Sequence, residues 1–147
     1  MLPMLLFLID KAVSGIDSRT FFLDESSFES VTEYIAGVCA AAGCDEDTVA
    51  HITIASSVIL ANIDSYAYKN GGEVEILTQC HDRRMTITFK DSGLAFNPLQ
   101  VEEPDVNAPL SARPIGGLGI FIVRNLVNDV RYTYENRQNV LTIEMDF

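Results

Sequence analysis

Tryptophan is missing from this 147-residue chain, and cysteine, histidine and basic residues are scarce. The three cysteines, Cys39, Cys44 and Cys80, are odd in number and form no C-x-x-C pair. That excludes a disulfide framework and reads as buried or neutral thiols in a reducing compartment. His51 and His81 are the two histidines, and no His, Cys and carboxylate cluster stands at ligand spacing, which argues against structural zinc. Lys and Arg number 10 against 21 Asp and Glu, for a formal net charge of -11. A nucleic-acid surface needs clustered basic residues to replace phosphate counterions, so nucleic acid is not an expected partner, whereas a basic protein surface is compatible. The apolar stretch Met1-Leu-Pro-Met-Leu-Leu-Phe-Leu-Ile9 falls far short of the roughly 20 residues that span a membrane. It also lacks the basic flank and small-residue cleavage site of a signal peptide. The expectation is a cytoplasmic protein with no membrane partner. Residues 1–16 are read either as an extra strand or ordered arm on the core, or as an apolar edge for self-association.

Hydrophobic residues make up 48% of the chain and charged residues 21%, the ordinary balance of a globular domain. With no internal repeat, linker or low-complexity segment, residues 1–147 are read as a single domain. The run Thr20-Phe-Phe-Leu23 predicts a short strand, and Asp24-Glu-Ser-Ser27 supplies N-cap candidates. Phe28, Val31, Tyr34, Ile35, Val38 and Cys39 recur at helical spacing until Gly43. Asp45-Glu-Asp47 is an acidic first turn, favourable at the positive end of a helix that runs to about Tyr68, before Asn70-Gly-Gly72. Residues 73–78 and 85–89 alternate like strands around the hairpin connection His81-Asp-Arg-Arg84. A proline-bearing stretch follows, of the length that usually marks a functional loop or lid. Gly116 to Asn128 reads as a third helix, and two last strand-like runs, 130–134 and 140–145, flank the turn Glu135-Asn-Arg-Gln-Asn139. Strands that cluster in pairs, with helices between the clusters, predict an α+β two-layer sandwich: a mixed, mostly antiparallel sheet covered by helices on one face.

Three places carry chemistry. Asn62 sits in an apolar helical run where an unpartnered amide is expensive to bury. Its oxygen could ligate a hard cation such as Mg²⁺, or the amide could simply bond neighbouring backbone. Asp91 ends a strand-like run beside Gly93. The carboxylate could accept from the amino group of a base while Gly93 admits the base to the backbone, or the segment could be an ordinary Asp-Ser-Gly turn. Gly116-Gly-Leu-Gly119 opens a helix, as a phosphate cradle does, with Arg113 upstream as a charged donor to a terminal phosphate. A flexible helix start is the plainer reading of the same glycines.

In order and spacing the set resembles the GHKL (Bergerat-type) ATP-binding family, and within it the small bacterial anti-sigma factor serine/threonine kinases. Ala61-Asn-Ile-Asp-Ser-Tyr-Ala-Tyr68 is similar to the N box, Asp91-Ser-Gly-Leu-Ala-Phe-Asn-Pro98 to the D-x-G box, and Gly116-Gly-Leu-Gly-Ile-Phe-Ile-Val123 to the second glycine box. Asn139-Val-Leu-Thr-Ile143 is similar to the closing strand. The resemblance implies the Bergerat fold, ATP and Mg²⁺ as cofactors, Mg²⁺ on Asn62, and Asp91 reading the adenine amino group. It implies Gly117 and Gly119 facing the phosphates under a lid of about Leu99 to Ile115, and Thr142 holding the adenine through water. It also implies a sigma factor or a STAS-domain anti-anti-sigma protein as partner, a homodimer, and phosphorylation of a serine on the STAS protein.

One position departs from the family. The N box carries a Glu one helical turn before the Asn, and here that position is Val58. Residues four apart share a helix face, so Val58 stands where the base is expected. Ser57 and Asp64 are rotated away from that face, Ser65 is a poor base, and His51 lies about 16 Å earlier along the helix. General-base help is typically worth roughly 10²–10⁴-fold, whereas phosphoryl transfer depends mostly on positioning and charge. The expected consequence is retained nucleotide binding with weak or absent turnover. Three functions remain open: a pseudokinase that binds its partner, a working serine kinase, and a nucleotide-free scaffold.

Overall fold

The computed structural model describes residues 16–100 and 117–147. The expected N-terminal arm falls outside the described residues apart from Ile16, and so does the expected lid apart from Leu99 and Gln100. The strands are β1 (Ile16–Leu23), β2 (Gly72–His81), β3 (Arg84–Asp91), β4 (Asp129–Glu135) and β5 (Gln138–Asp146). They form one sheet in the order β1-β2-β3-β5-β4. Every pairing is antiparallel, so the described sheet is antiparallel throughout rather than mixed. The reason is topological. The chain returns after β3 so that β4 runs in the same direction as β3, but β5 inserts between them and keeps every neighbour opposed.

Both hairpins use two-residue turns with positive φ, at Asp82 and Arg83 (49° and 61°) and at Asn136 and Arg137 (53° and 61°). Such turns match the right-handed twist of the strands they join. β1 begins four residues earlier than the sequence predicts, because Ile16 to Arg19 pair with β2 although their side chains carry no strand pattern.

The helices are α1 (Phe28–Ala41), α2 (Glu46–Asn62) and α3 (Gly117–Leu126), all against one face of the sheet. The Asp45 carboxylate accepts the Thr48 N–H at 2.7 Å and caps α2, and Gly43 at φ 98° lets the chain turn between α1 and α2. The α-helical part of α2 stops at Asn62, and Ile63–Ala67 widens into a π turn. Such turns cluster at functional sites. Together they are long and apolar enough to cross a membrane by length and composition, but here they pack against α1 and α3.

Alternation in β3 buries Met85, Ile87, Phe89 and Asp91 on the helix side. The register sets Asn139, Leu141 and Ile143 of β5 beside them. Val31 and Ile35 from α1, Ile52 and Ile59 from α2, and Ile120 and Val123 from α3 close this layer. Each fully buried side chain of this kind contributes about 1.5–3 kcal/mol. The thiols of Cys39, Cys44 and Cys80 are free, and burial pushes Cys39 up to about 12 and raises Cys44 as well, as expected for neutral thiols.

Candidate functional site

Asp91 ends β3 on the helix side and is 3% exposed. Its Oδ1 accepts two hydrogen bonds, from the Gly93 N–H at 3.0 Å and from Asn139 Nδ2 at 2.8 Å. Among the described residues Oδ2 accepts none and remains available. Burial raises the Asp91 carboxyl above its ordinary value, and the bonds from Asn139 and Gly93 act in the opposite sense. A bare carboxylate held this way in an apolar setting is a strong acceptor for an amino group.

Gly93 is required by the protein's own backbone. A Cβ there would lie 2.3 Å from the Ala67 carbonyl oxygen and 2.6 Å from its carbon. The close approach lets the Leu94 N–H donate to the same oxygen at 2.8 Å, which ties the segment after β3 to the π turn. The chain then folds over the cleft. Phe96 stacks on Tyr66 with ring centroids 4.6 Å apart, and its N–H donates to Asn139 Oδ1 at 3.0 Å. The Tyr68 hydroxyl, held by Glu73 O at 2.7 Å, accepts the Ser92 N–H at 2.8 Å.

Asn62 lines the same cleft as Asp91. Its amide caps no helix end and makes no hydrogen bond among the described residues. A Cβ on Gly119 would lie 3.7 Å from its Oδ1, 3.8 Å from its Nδ2 and 3.0 Å from Val58 Cγ1. The start of α3 therefore rests on the α2 face that carries Val58 and Asn62, and only a glycine fits there without displacing Val58. Gly117 begins α3 two residues earlier, at the end where unpaired N–H groups face outward. Arg113 lies outside the described residues. Among the described residues no group of three His, Cys, Asp or Glu is placed to hold a metal, so Asn62 is the one expected ligand that stands at the cleft.

Thr142 is not brought to this site. Its neighbours Leu141 and Ile143 face the helices, so Thr142 faces the other side of the sheet, where its hydroxyl meets that of Thr88 at 3.2 Å. Alternation in β5 gives its place in the cleft to Asn139. The motif resemblance assigns no role to Asn139, although the period-two pattern Asn139, Leu141, Ile143 puts it on the buried face of β5. Its carboxamide accepts from the Tyr132 hydroxyl at 2.5 Å and from Phe96, and donates to Asp91 and to Leu94 O at 2.9 Å.

The cleft is walled by Ile59, Ile63, Ala67, Phe96, Pro98 and Leu141, with Asp91, Asn62, Tyr132 and Asn139 as its polar groups. A flat aromatic ring with an exocyclic amino group matches this lining, with apolar faces for the ring and one carboxylate oxygen for the amino group.

Comparison with known proteins gives the family and the fold. A profile of the histidine kinase-like ATPase domain matches residues 23–145. The serine-protein kinase RsbW of Bacillus mycoides is 30% identical over 112 residues, covering 73% of this chain and 70% of that protein. The RsbW of Bacillus cereus strain B4264 is 31% identical over the same shares. Among solved structures, that of the RsbU and RsbW domains of Rv1364c from Mycobacterium tuberculosis superposes with a TM-score of 0.61 at 15% identity. It matches 88% of this chain, which spans 32% of that longer protein. The match shows the same α+β fold, and the sequence matches show the family: this chain belongs to the histidine kinase-like ATPase domain family, with RsbW proteins among its relatives.

Proposed function

We propose that this protein binds ATP in the cleft between α2, β3 and the start of α3, and acts as a partner-switching regulator that holds a sigma factor or a STAS-domain protein, alone or as a homodimer in the cytoplasm. The observation that carries the reading is the pairing of Asp91, buried with one free carboxylate oxygen, with Asn62, whose unengaged amide faces the glycine at the start of α3. Asp91 takes the amino group of adenine. Asn62 fits a hard cation as a single neutral oxygen ligand, which suits Mg²⁺, an ion that keeps several waters and leans on substrate phosphates. When bound, the ion neutralises phosphate charge. The N–H groups at the start of α3, with Arg113, take the phosphates, and Gly117 and Gly119 leave them room.

In this reading turnover is weak or absent. Val58 stands one turn before Asn62 and meets Gly119, so the place of the base is apolar. A second reading, a working serine kinase, is favoured by the relatives that are named serine-protein kinases at about 30% identity. Isothermal titration of ADP and ATP, with and without Mg²⁺, tests the binding reading. Micromolar binding that Mg²⁺ strengthens is expected, and no binding at millimolar nucleotide would overturn it. Transfer of labelled γ-phosphate to a STAS-domain protein at a rate of ordinary kinases would decide for the second reading.

A further inference from the structure

Carboxylates that read purines face a choice. Adenine offers one amino group beside a ring acceptor, whereas guanine offers two adjacent donors, which a carboxylate with both oxygens open takes together. Each carboxylate oxygen has about two lone-pair sites. On Asp91 the two sites of Oδ1 are both filled, by the Gly93 N–H and by Asn139 Nδ2. The Gly93 bond comes from the local turn, but the Asn139 bond comes from a strand 48 residues away in sequence. Asn139 is itself fixed on its other atom by Tyr132 and Phe96, so the carboxamide cannot rotate to offer its oxygen to Asp91 without losing both.

We propose, on the basis of the nucleotide reading above, that Asn139 is the positioning and specificity-determining residue of this cleft: it fills the second site of Asp91 Oδ1 and leaves Oδ2 as the single acceptor, matched to adenine and mismatched to guanine. A buried donor without a partner is costly, so polar mismatches of this kind discriminate strongly. Tyr132 acts through Asn139 and sets which of its amide atoms faces Asp91. Among the described residues, the ionisable side chains that interact with Asp91 are the phenols of Tyr68 and Tyr132, both with raised values and both neutral at neutral pH.

The experiment compares the full chain with Asn139→Leu, close in size but without polar atoms, and with Tyr132→Phe, a milder change that leaves the core intact. Two readouts are taken: ADP and GDP affinity by titration calorimetry, and the Asp91 carboxyl titration in ligand-free protein by carbon-13 NMR. Asn139→Leu is expected to weaken ADP by about tenfold and to cut the ADP-over-GDP preference by at least about tenfold. It also moves the Asp91 titration to higher pH, because a bond that favours the ionised form is gone. Tyr132→Phe shifts both in the same direction by less. Unchanged preference and unchanged Asp91 titration in folded Asn139→Leu overturn the proposal, and Tyr132→Phe decides in the same way if Asn139→Leu does not fold. If the wild-type chain binds neither nucleotide, the nucleotide reading fails and takes the specificity role with it. The ligand-free titration then still decides the positioning role: an upward shift keeps it and no shift overturns it.

Discussion

Replacing Gly93 by alanine should unfold this protein several degrees earlier, through a contact that involves no ligand. The new methyl carbon would sit 2.3 Å from Ala67 O, 2.6 Å from Ala67 C and 2.7 Å from Ala67 Cβ, all far inside van der Waals contact. The obstacle is backbone and has no rotamer by which to retreat. Either the π turn or the segment after β3 must move, and the Leu94 N–H to Ala67 O bond of 2.8 Å spans that seam. Overpacking costs about 1–3 kcal/mol, and a lost backbone hydrogen bond adds about 1 kcal/mol, for a total of about 2–4 kcal/mol. At about 3 °C per kcal/mol for a chain of this length, the melting temperature falls by roughly 6–12 °C. Gly37→Ala is the matched control. Gly37 lies in the exposed middle of α1 with nothing within 4 Å of an added Cβ, so the same substitution should stabilise by about 0.5–1 kcal/mol. Both variants are melted by differential scanning calorimetry without nucleotide. A Gly93→Ala protein that melts within 2 °C of wild type would refute the steric argument, with "2 °C" taken as about the error of the conversion.

Asp91→Asn should weaken ADP by about 1.5–3 kcal/mol, because an amide that keeps its oxygen toward Gly93 and Asn139 turns an N–H₂ toward the ligand's own amino group; unaltered calorimetric affinity would remove Asp91 from the site. The raised Asp91 carboxyl also sets a pH dependence. The folded value lies above 3.8, so on acidification Asp91 takes up its proton before an ordinary aspartate does, and ADP affinity should begin to fall above the ordinary aspartate range. The same group affects stability in the opposite sense: its contribution is fully present below 3.8 and is lost as pH rises through the folded value, so a melt that tracks ADP affinity in sign would contradict the assignment. Ser56 is fully buried on α2 and its hydroxyl has no hydrogen-bond partner among the described residues, so Ser56→Ala should raise stability by about 1 kcal/mol in urea melts; a loss would mean that the hydroxyl has a partner. Val58→Glu should raise the rate of phosphate release from ATP by roughly 10²-fold or more with ADP affinity kept, and no gain at full nucleotide occupancy would place the defect elsewhere.

Local chemistry made much of this molecule legible before folding. Asp24 caps the short 3-10 turn Glu25–Ser27 that leads into α1, Asp45 caps α2, Gly43 ends a helix, and strict alternation in 85–89 gives the buried face of β3. The order Asn62, Asp91, glycine turn also survives translation into space, because Asp91 ends a strand and the glycines open a helix at limits set by short-range signals, although the change to a π turn just after Asn62 is not legible in the sequence. The errors share a cause as well. The first half of β1 has no pattern of its own and is a strand because β2 offers it an edge. Similarity of motif assigns Thr142 to the adenine, whereas the pleat turns it to the far face and turns Asn139 inward, a difference of odd and even positions that register alone decides. Gly93 reads as room for a base, and only the approach of the π turn, 26 residues upstream in sequence, shows that Ala67 fills that room. The sequence by itself determined most of the elements, the family and two of the cleft's four polar groups, Asn62 and Asp91, because capping, periodicity and turn chemistry act within a few residues. Which oxygen of Asp91 is left open, what Val58 touches and which side of β5 faces the cleft were decided by tertiary structure, because those depend on strand register and helix docking between segments that are distant in the chain.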